Sequence, residues 1–263
     1  MVAIAKNTAL EKLKDGRLAL GMLVRLSATV EIAKVAQATD HDFLFIDMQH
    51  AGMSIESAIK VCLAALDSGV TPLVRVSSKR ALEASRLLDN GALGIVAPDV
   101  ETAEEARHLV ATCRFPPRGE RSVYANYPQF GYRSVPIAEA TRALDENTLV
   151  VAMIESGTGV ENADAIAAVD GIDVLHIGSN DLLTEMGLPG EMGSKRHYEL
   201  AGKVAAACRA HGKFFGVGGA RSPEQQARFI AMGARFMTTN SDLAFLMAAA
   251  AERTKQLREM PLD

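Results

Sequence analysis

The chain alternates, eight times over, between a short apolar run and an amphipathic helical stretch, and few architectures accept that pattern. The runs are Leu18–Leu26, Phe43–Asp47, Pro72–Val76, Gly94–Pro98, Leu149–Glu155, Val174–Ser179, Phe214–Gly219 and Arg235–Asn240. Most are continuously apolar rather than alternating, as parallel strands buried on both faces must be. Between them, Glu31–Thr39, Ile55–Ser68, Leu82–Asn90, Ala103–Thr112, Val160–Val169, Leu200–His211, Pro223–Met232 and Asp242–Leu257 place apolar residues at three- and four-residue spacing. Ser54 and the Ser222–Pro223 pair mark helix starts, and Gly69, Gly91, Gly212 and Gly233 mark helix ends. Eight strands each followed by a helix predict a (β/α)₈ TIM barrel, and a chain of 263 residues is close to the ~250 typical of that fold. A doubly wound open sheet is the alternative. It normally needs fewer strands, and no G-x-G-x-x-G follows the first strand. One domain over residues 1–263 is expected.

Composition narrows the partners. Charged residues make up 23% and the formal net charge is −4, so there is no basic surplus of the kind that advertises nucleic-acid binding. No apolar run approaches the ~18–20 residues of a membrane span, and the first residues lack the apolar core of a signal peptide. Cys62, Cys113 and Cys208 are far apart, with no C-x-x-C spacing; a cytoplasmic location is the expectation. The connection from Cys113 to Thr148 is anomalous in length, rich in arginine and tyrosine, and its second part, Ile137–Leu144, reads as a helix. So long a loop usually contacts substrate or another subunit.

In such barrels the chemistry stands where strands end and loops begin. Strand one carries Arg25. Strand two ends in Asp47, followed by Gln49 and His50, and strand three ends near Arg75. Strand five ends in Glu155, strand six runs into Ser179, Asn180 and Asp181, strand seven ends in Gly218 and Gly219, and strand eight in Asn240. Glu155 and Asp181 are oxygen ligands on adjacent strands, a set that suits Mg²⁺ or Mn²⁺ better than zinc; the plainer alternative is that each caps a helix. Asp47 is placed to fix the tautomer of His50 and leave a ring nitrogen as base. Arg75, a guanidinium in an apolar strand, needs an anionic partner, either a substrate oxyanion or Glu155. His41, His108, His197 and His211 read as surface histidines and His176 as a packed one. Gly216, Gly218 and Gly219 are expected to let a helix approach closely rather than to cradle a phosphate.

These residues resemble a known family. Phe43-Leu-Phe-Ile-Asp-Met-Gln-His50 is similar to its strand-two motif D-x-[EQ]-H, and Arg75 to its strand-three arginine. Leu88–Pro98 with Val100–Ala106 resembles its fourth βα unit, and Phe115–Arg121 its PP-x-G-x-R loop. Ile154-Glu155-Ser156 and Ile177–Leu182 resemble its two metal segments. The family is the HpcH/HpaI class II pyruvate aldolases, and the resemblance covers about residues 15–255. It implies a barrel of the phosphoenolpyruvate/pyruvate type, a divalent metal (Mg²⁺, Mn²⁺ or Co²⁺) on Glu155 and Asp181, and a homo-hexamer of paired barrels that exchange C-terminal helices, here about 242–257. It further implies that Arg75 stabilises an enolate oxygen and that His50, oriented by Asp47, transfers protons. Gln49, Ser179 and Asn180 would contact substrate, and Asp89 would reach a neighbouring subunit's site. Three positions depart from the pattern: Met153 where several members have Gln, Gln49 where Glu is commoner, and G-S-N-D where G-P-x-D is usual.

The expected activity is reversible cleavage of 4-hydroxy-2-oxoacids to pyruvate, or a related 2-oxoacid, and an aldehyde through a metal-stabilised enolate. A decarboxylase of the oxaloacetate type or a citrate/malyl-CoA-type lyase would use the same enolate. A non-catalytic barrel serving as a binding subunit is a third class, disfavoured by the intact set Asp47, His50, Arg75, Glu155 and Asp181. A Schiff-base aldolase needs a lysine on a strand, and none of the eight runs carries one.

Overall fold

A computed structural model describes residues 4–80 and 82–261; the outermost residues of the expected 1–263 domain lie outside them. Eight strands close into a parallel barrel in sequence order, β1 beside β8. They are β1 (Ala19–Val24), β2 (Phe43–Asp47), β3 (Thr71–Arg75), β4 (Gly94–Ala97), β5 (Leu149–Ile154), β6 (Val174–Gly178), β7 (Phe214–Gly218) and β8 (Ala234–Ser241). Each coincides with one of the apolar runs. The expected helices follow in place, among them α3 (Ile55–Asp67), α4 (Ala84–Asp89), α5 (Ala103–Cys113) and α12 (Asp242–Arg258). Val160–Val169 is broken into α7 (Gly157–Glu161) and α8 (Ala163–Ala167). Gly69, Gly91, Gly212 and Gly233 all have positive φ, the left-handed geometry that ends a helix at low strain.

Two cores separate by face. Outward side chains of the strands, such as Leu44, Ile46, Val74, Ile95 and Ile177, pack against the helices. Inward ones, Phe43, Phe45, Leu73, Val96, Val151 and Phe236 among them, fill the barrel. The lower end is plugged by α1 (Thr8–Lys14), whose Ala9, Leu10 and Leu13 are buried in this inner core. Asn7 caps that helix by accepting the Leu10 N–H, and its amide donates to the carbonyls of Leu93 and Asn147. The plug is absent from the sequence expectations because Glu11, Lys12 and Lys14 interrupt its apolar stripe.

The long 113–148 connection is packed. Phe115, Tyr127 and Phe130 form a small core with Ala140 and Leu144 of α6 (Ile137–Asn147). Buried Arg114 donates to the carbonyls of Asp145, Thr148 and Gly171 and pairs with Asp173 at 2.7 Å. Arg121 lies over the Phe115 ring and pairs with Asp89 at 2.8 Å. These arginines therefore fasten the connection to the barrel wall.

Candidate active site

The strand ends open into a cavity of about 710 Å³, counting the part open to solvent. Strand register decides what faces it. Asp47 and Arg75 are direct neighbours in the β2–β3 ladder, so both side chains point inward from the last position of their strands. Asp47 is fully buried and accepts five hydrogen bonds. Arg75 supplies two, from Nε at 3.0 Å and Nη2 at 2.7 Å, and Arg25 Nε a third at 2.8 Å. The backbone N–H groups of Gln49 and His50 donate at 3.1 and 3.2 Å. Burial alone would raise the Asp47 pKa, but the two guanidinium groups hold it below the ordinary carboxylate value.

This corrects two expectations. Arg75 pairs with Asp47, not with Glu155. Asp47 fixes the loop that carries His50 through its backbone and makes no hydrogen bond to the imidazole, because both carboxylate oxygens are already taken. His50 is exposed, and neither it nor Gln49 is among the residues that line the cavity. Gln49 beside it is half-buried, with its Oε1 buried and without a partner.

Glu155 presents the opposite electrostatics. It follows β5 and stands level with Gly178, since Ile154 pairs with Ile177 one step below. One oxygen, Oε2, accepts the Asp99 N–H at 3.0 Å. The other, Oε1, has no hydrogen-bond partner among the described residues, and a Cβ on Gly178 would collide with it. Gly178 has an ordinary negative φ, so glycine is required there for space, not for backbone freedom. Burial pushes the Glu155 pKa to about 7; the charges of Asp99 and Asp181 push the same way, against the Asp99 hydrogen bond and Arg75. Asp181, in the first turn of α9 (Ser179–Glu185), faces the same cavity. A buried carboxylate with a free oxygen, a second carboxylate nearby and a glycine-made space between strands fit a hard divalent cation. Among the described residues no group of three His, Cys, Asp or Glu side chains stands ready to hold a metal, so the remaining coordination positions would fall to water or substrate oxygens.

Ser179 and Asn180 line the cavity beside Asp181. His197, read from sequence as a surface residue, is buried in α10 (Lys195–Ala210) and fixes Ser179. The Gly193 N–H donates to its Nδ1 at 3.2 Å, which leaves Nε2 as the donor to Ser179 Oγ at 3.1 Å. The β7 glycines also have another purpose than the one expected. A Cβ on Gly216 would come 2.7 Å from His176 Nδ1, and one on Gly218 2.8 Å from His176 Nε2. They make room inside the barrel for a buried, neutral imidazole on the cavity floor, not for a helix outside it. Asp89 lies at the C-terminal end of α4, towards the strand starts and away from this chain's own cavity.

Comparison with known proteins agrees with this arrangement. The chain is 37% identical over 262 residues to a 4-hydroxy-4-methyl-2-oxoglutarate aldolase of Hapsidospora irregularis, covering 98% of this chain and 97% of that protein. It is 33% identical over 207 residues to a 5-keto-4-deoxy-D-glucarate aldolase of Salmonella arizonae, covering 79% of this chain and 80% of that one. The crystal structure of an HpcH/HpaI aldolase from Desulfitobacterium hafniense superposes with a TM-score of 0.90 at 28% identity, covering 96% and 97% of the two chains. Residues 21–249, from β1 into α12, match the model of one family. With Asp47, Arg75, Glu155 and Asp181 all inside that span, the chain belongs to the HpcH/HpaI aldolase/citrate lyase family.

Proposed function

We propose that this carbon–carbon lyase cleaves 4-hydroxy-2-oxoacids reversibly to pyruvate, or a related 2-oxoacid, and a carbonyl product. The observation that carries this reading is the pairing, across one cavity, of an unsatisfied carboxylate couple (Glu155 and Asp181) with a guanidinium held rigid by Asp47. Glu155 and Asp181 would hold a divalent ion, Mg²⁺, Mn²⁺ or Co²⁺, which when bound supplies Lewis acidity to a 2-oxo group. Arg75 has Nε and Nη2 fixed on Asp47, and its Nη1 lies against Met153 Sδ at 4.0 Å. That third nitrogen is free to meet oxygen charge as it develops, already oriented. Ser179 and Asn180 position the 2-oxoacid end, with Gln49 contributing from the β2 loop. Loss of the 4-hydroxyl proton, rupture of C3–C4 and return of a proton to C3 complete the cleavage. Among the described residues no lysine lies in a strand or lines the cavity, so a Schiff base has no donor there.

His50 is assigned the proton at C3. Its side chain is exposed and has no fixed partner among the described residues, while its backbone is tied to Asp47. The chain is further proposed to act in the cytoplasm as a homo-hexamer. Leu246 and Met247 of α12 are 57% and 62% exposed, an apolar face that a partner subunit would cover, and Asp89 would serve at such an interface. Among the described residues no helix is long and apolar enough to cross a membrane.

The test is exchange of pyruvate methyl protons in deuterated water, which reports enolisation without carbon–carbon cleavage, followed by turnover of 4-hydroxy-2-oxoacids against oxaloacetate and CoA thioesters. Metal-dependent exchange with oxoacid cleavage is expected. Exchange and aldol turnover in His50→Ala should fall by roughly 10²–10⁴-fold with cation affinity unchanged. Wild-type exchange in that variant would move the base elsewhere.

A further inference from the structure

The cleavage chemistry makes no use of His176, although its ring lines the same cavity as Arg75 and Glu155 and is only 2% exposed. Its Nδ1 is buried without a hydrogen-bond partner, and Nε2 has none among the described residues either. Two neighbours place the ring beside Arg75. The Phe45 ring centroid lies 5.9 Å from that of the imidazole and 5.5 Å from Arg75 Cζ. Met153, the register partner of His176 on β5, meets Arg75 Nη1 through its sulfur. The ring also rises towards Glu155. Gly178 and Gly218 are register partners on β6 and β7. A Cβ on Gly178 would collide with Glu155 Oε1, and one on Gly218 would come 2.8 Å from His176 Nε2. Two adjacent spaces without a side chain therefore hold two unpartnered polar atoms, a carboxylate oxygen and an imidazole nitrogen.

Packing alone does not account for this. A phenyl ring would fill the volume with no polar atom to satisfy, whereas an imidazole nitrogen buried without a partner costs stability. A neutral imidazole has one N–H and one bare nitrogen. Orphaned buried N–H groups are rarer in proteins than orphaned acceptors. The proton therefore belongs on Nε2, where the cavity can supply an acceptor, and the bare nitrogen is Nδ1, against Gly216 and the Phe236 ring. Burial and the Arg75 charge hold the pKa down at about 3, so the ring is neutral at working pH. It neither takes a proton as a base nor adds a second positive charge beside Arg75. What remains is donation of a hydrogen bond to an oxygen, the use of a neutral imidazole as an electrophile.

We infer that His176 is a further catalytic residue, whose Nε2–H donates to the substrate oxygen that passes from 2-oxo to enolate beside Arg75 Nη1. This rests on the aldolase reading above and adds to it a donor that carries no charge. As C3–C4 breaks, its electron pair forms the C2–C3 double bond and the C2–O π pair moves onto that oxygen. The His176 proton stays on Nε2 throughout, and its hydrogen bond strengthens as the oxygen gains charge.

The experiment uses the Mg²⁺-loaded wild type, His176→Phe and His176→Gln. Three quantities are read: pyruvate methyl-proton exchange in deuterated water, and the dissociation constants of pyruvate and of oxalate, a dianion shaped like the enolate. His176→Phe should slow exchange about 10- to 100-fold and weaken oxalate by a similar factor, with pyruvate affinity much less affected. His176→Gln, whose amide keeps an N–H near the same place, should recover part of both. Wild-type exchange and oxalate binding in His176→Phe would overturn the assignment and leave His176 a packing residue. Equal losses in the two variants, with pyruvate and oxalate weakened alike, would overturn it too. A measurement on the wild type covers the case of a variant that does not fold. In the isotope-labelled protein the His176 ring should carry its proton on Nε2, and oxalate should move that proton's resonance downfield. A proton on Nδ1, or an Nε2–H resonance that oxalate leaves in place, counts against the assignment. Failure of the aldolase reading is distinguishable, because it appears as absent exchange in the wild type.

Discussion

Asp47 and Glu155 are both buried carboxylates at strand ends, facing one barrel mouth, yet their surroundings are opposite. Asp47 sits among two arginines and two backbone N–H groups and is held ionised, its pKa below the ordinary value despite full burial. Glu155 has one backbone N–H, two acidic neighbours and a free oxygen, and its pKa rises to about 7. The first carboxylate is satisfied by the protein itself and acts by holding Arg75 in place. The second is left short of positive charge, which fits a site completed by a cation. Burial of a carboxylate therefore does not identify a metal ligand; the shortage of donors around it does.

The strongest way to break this contrast is to remove the charge on the deficient side. Glu155→Gln keeps the shape and abolishes the anion. Metal-assisted charge stabilisation is worth several kcal/mol, so activity should fall by about 10³-fold or more. The metal-free variant should melt at or above the wild-type temperature, and the stabilisation that Mn²⁺ or Mg²⁺ gives the wild type in a thermal melt should vanish. A variant still stabilised by the cation would place the metal elsewhere. On the satisfied side, Arg75→Lys keeps charge but loses the fork, and kcat should drop by ~10²–10³ with cation binding retained. Asp47→Asn should leave two guanidinium groups unpaired, and breaking a buried pair this way costs about 3–5 kcal/mol, read from denaturant midpoints. If Asp47→Asn instead abolished cation binding and Glu155→Gln unfolded the protein, the two roles would be reversed.

How much of this was legible in the sequence follows the same division. Strand positions were readable because continuous apolarity is a local property, and Asp47, Arg75, Glu155 and Asp181 stood out as polar residues at the ends of such runs. Partner choice was not readable. Arg75 is expected to meet a substrate oxyanion or Glu155, and only the β2–β3 register makes Asp47 its neighbour. The Gly178 requirement arises from Glu155 on another strand, and the β7 glycines answer to His176, so neither has a signal in its own segment. His197 precedes the Leu200–His211 stretch whose spacing marks a helix, and only the structure extends that helix back to Lys195. Its burial is set by Ser179 and by the aromatic rings of Tyr198 and Phe229 around it.

The smallest expected effect is one of slope, and it sets Glu155 against His176 inside the same cavity. His176 is buried, and burial, with the Arg75 charge, lowers its pKa from 6.5 to about 3. Between those values the unfolded chain binds a proton that the folded chain refuses, so this site's contribution to stability is lost as pH falls. Glu155 behaves in the reverse sense. With its pKa raised from 4.5 to about 7, the folded chain holds a proton that the unfolded chain has released, so its contribution is lost as pH rises. A single site changes stability by at most about 1.4 kcal/mol per pH unit. In the shared window, pH 4.5 to 6.5, the two slopes oppose and the metal-free wild type should show little net dependence from this pair. His176→Phe removes one slope while keeping a ring in the space left by Gly216 and Gly218, so relative to wild type it should gain stability as pH falls. Glu155→Gln should lose stability as pH falls, relative to wild type. Denaturant unfolding of the chelated proteins at several pH values measures both differences. Two single variants whose profiles run parallel to the wild type across the window would show that neither group titrates differently in the folded chain, and the contrast between the two carboxylates would then rest on hydrogen bonding alone.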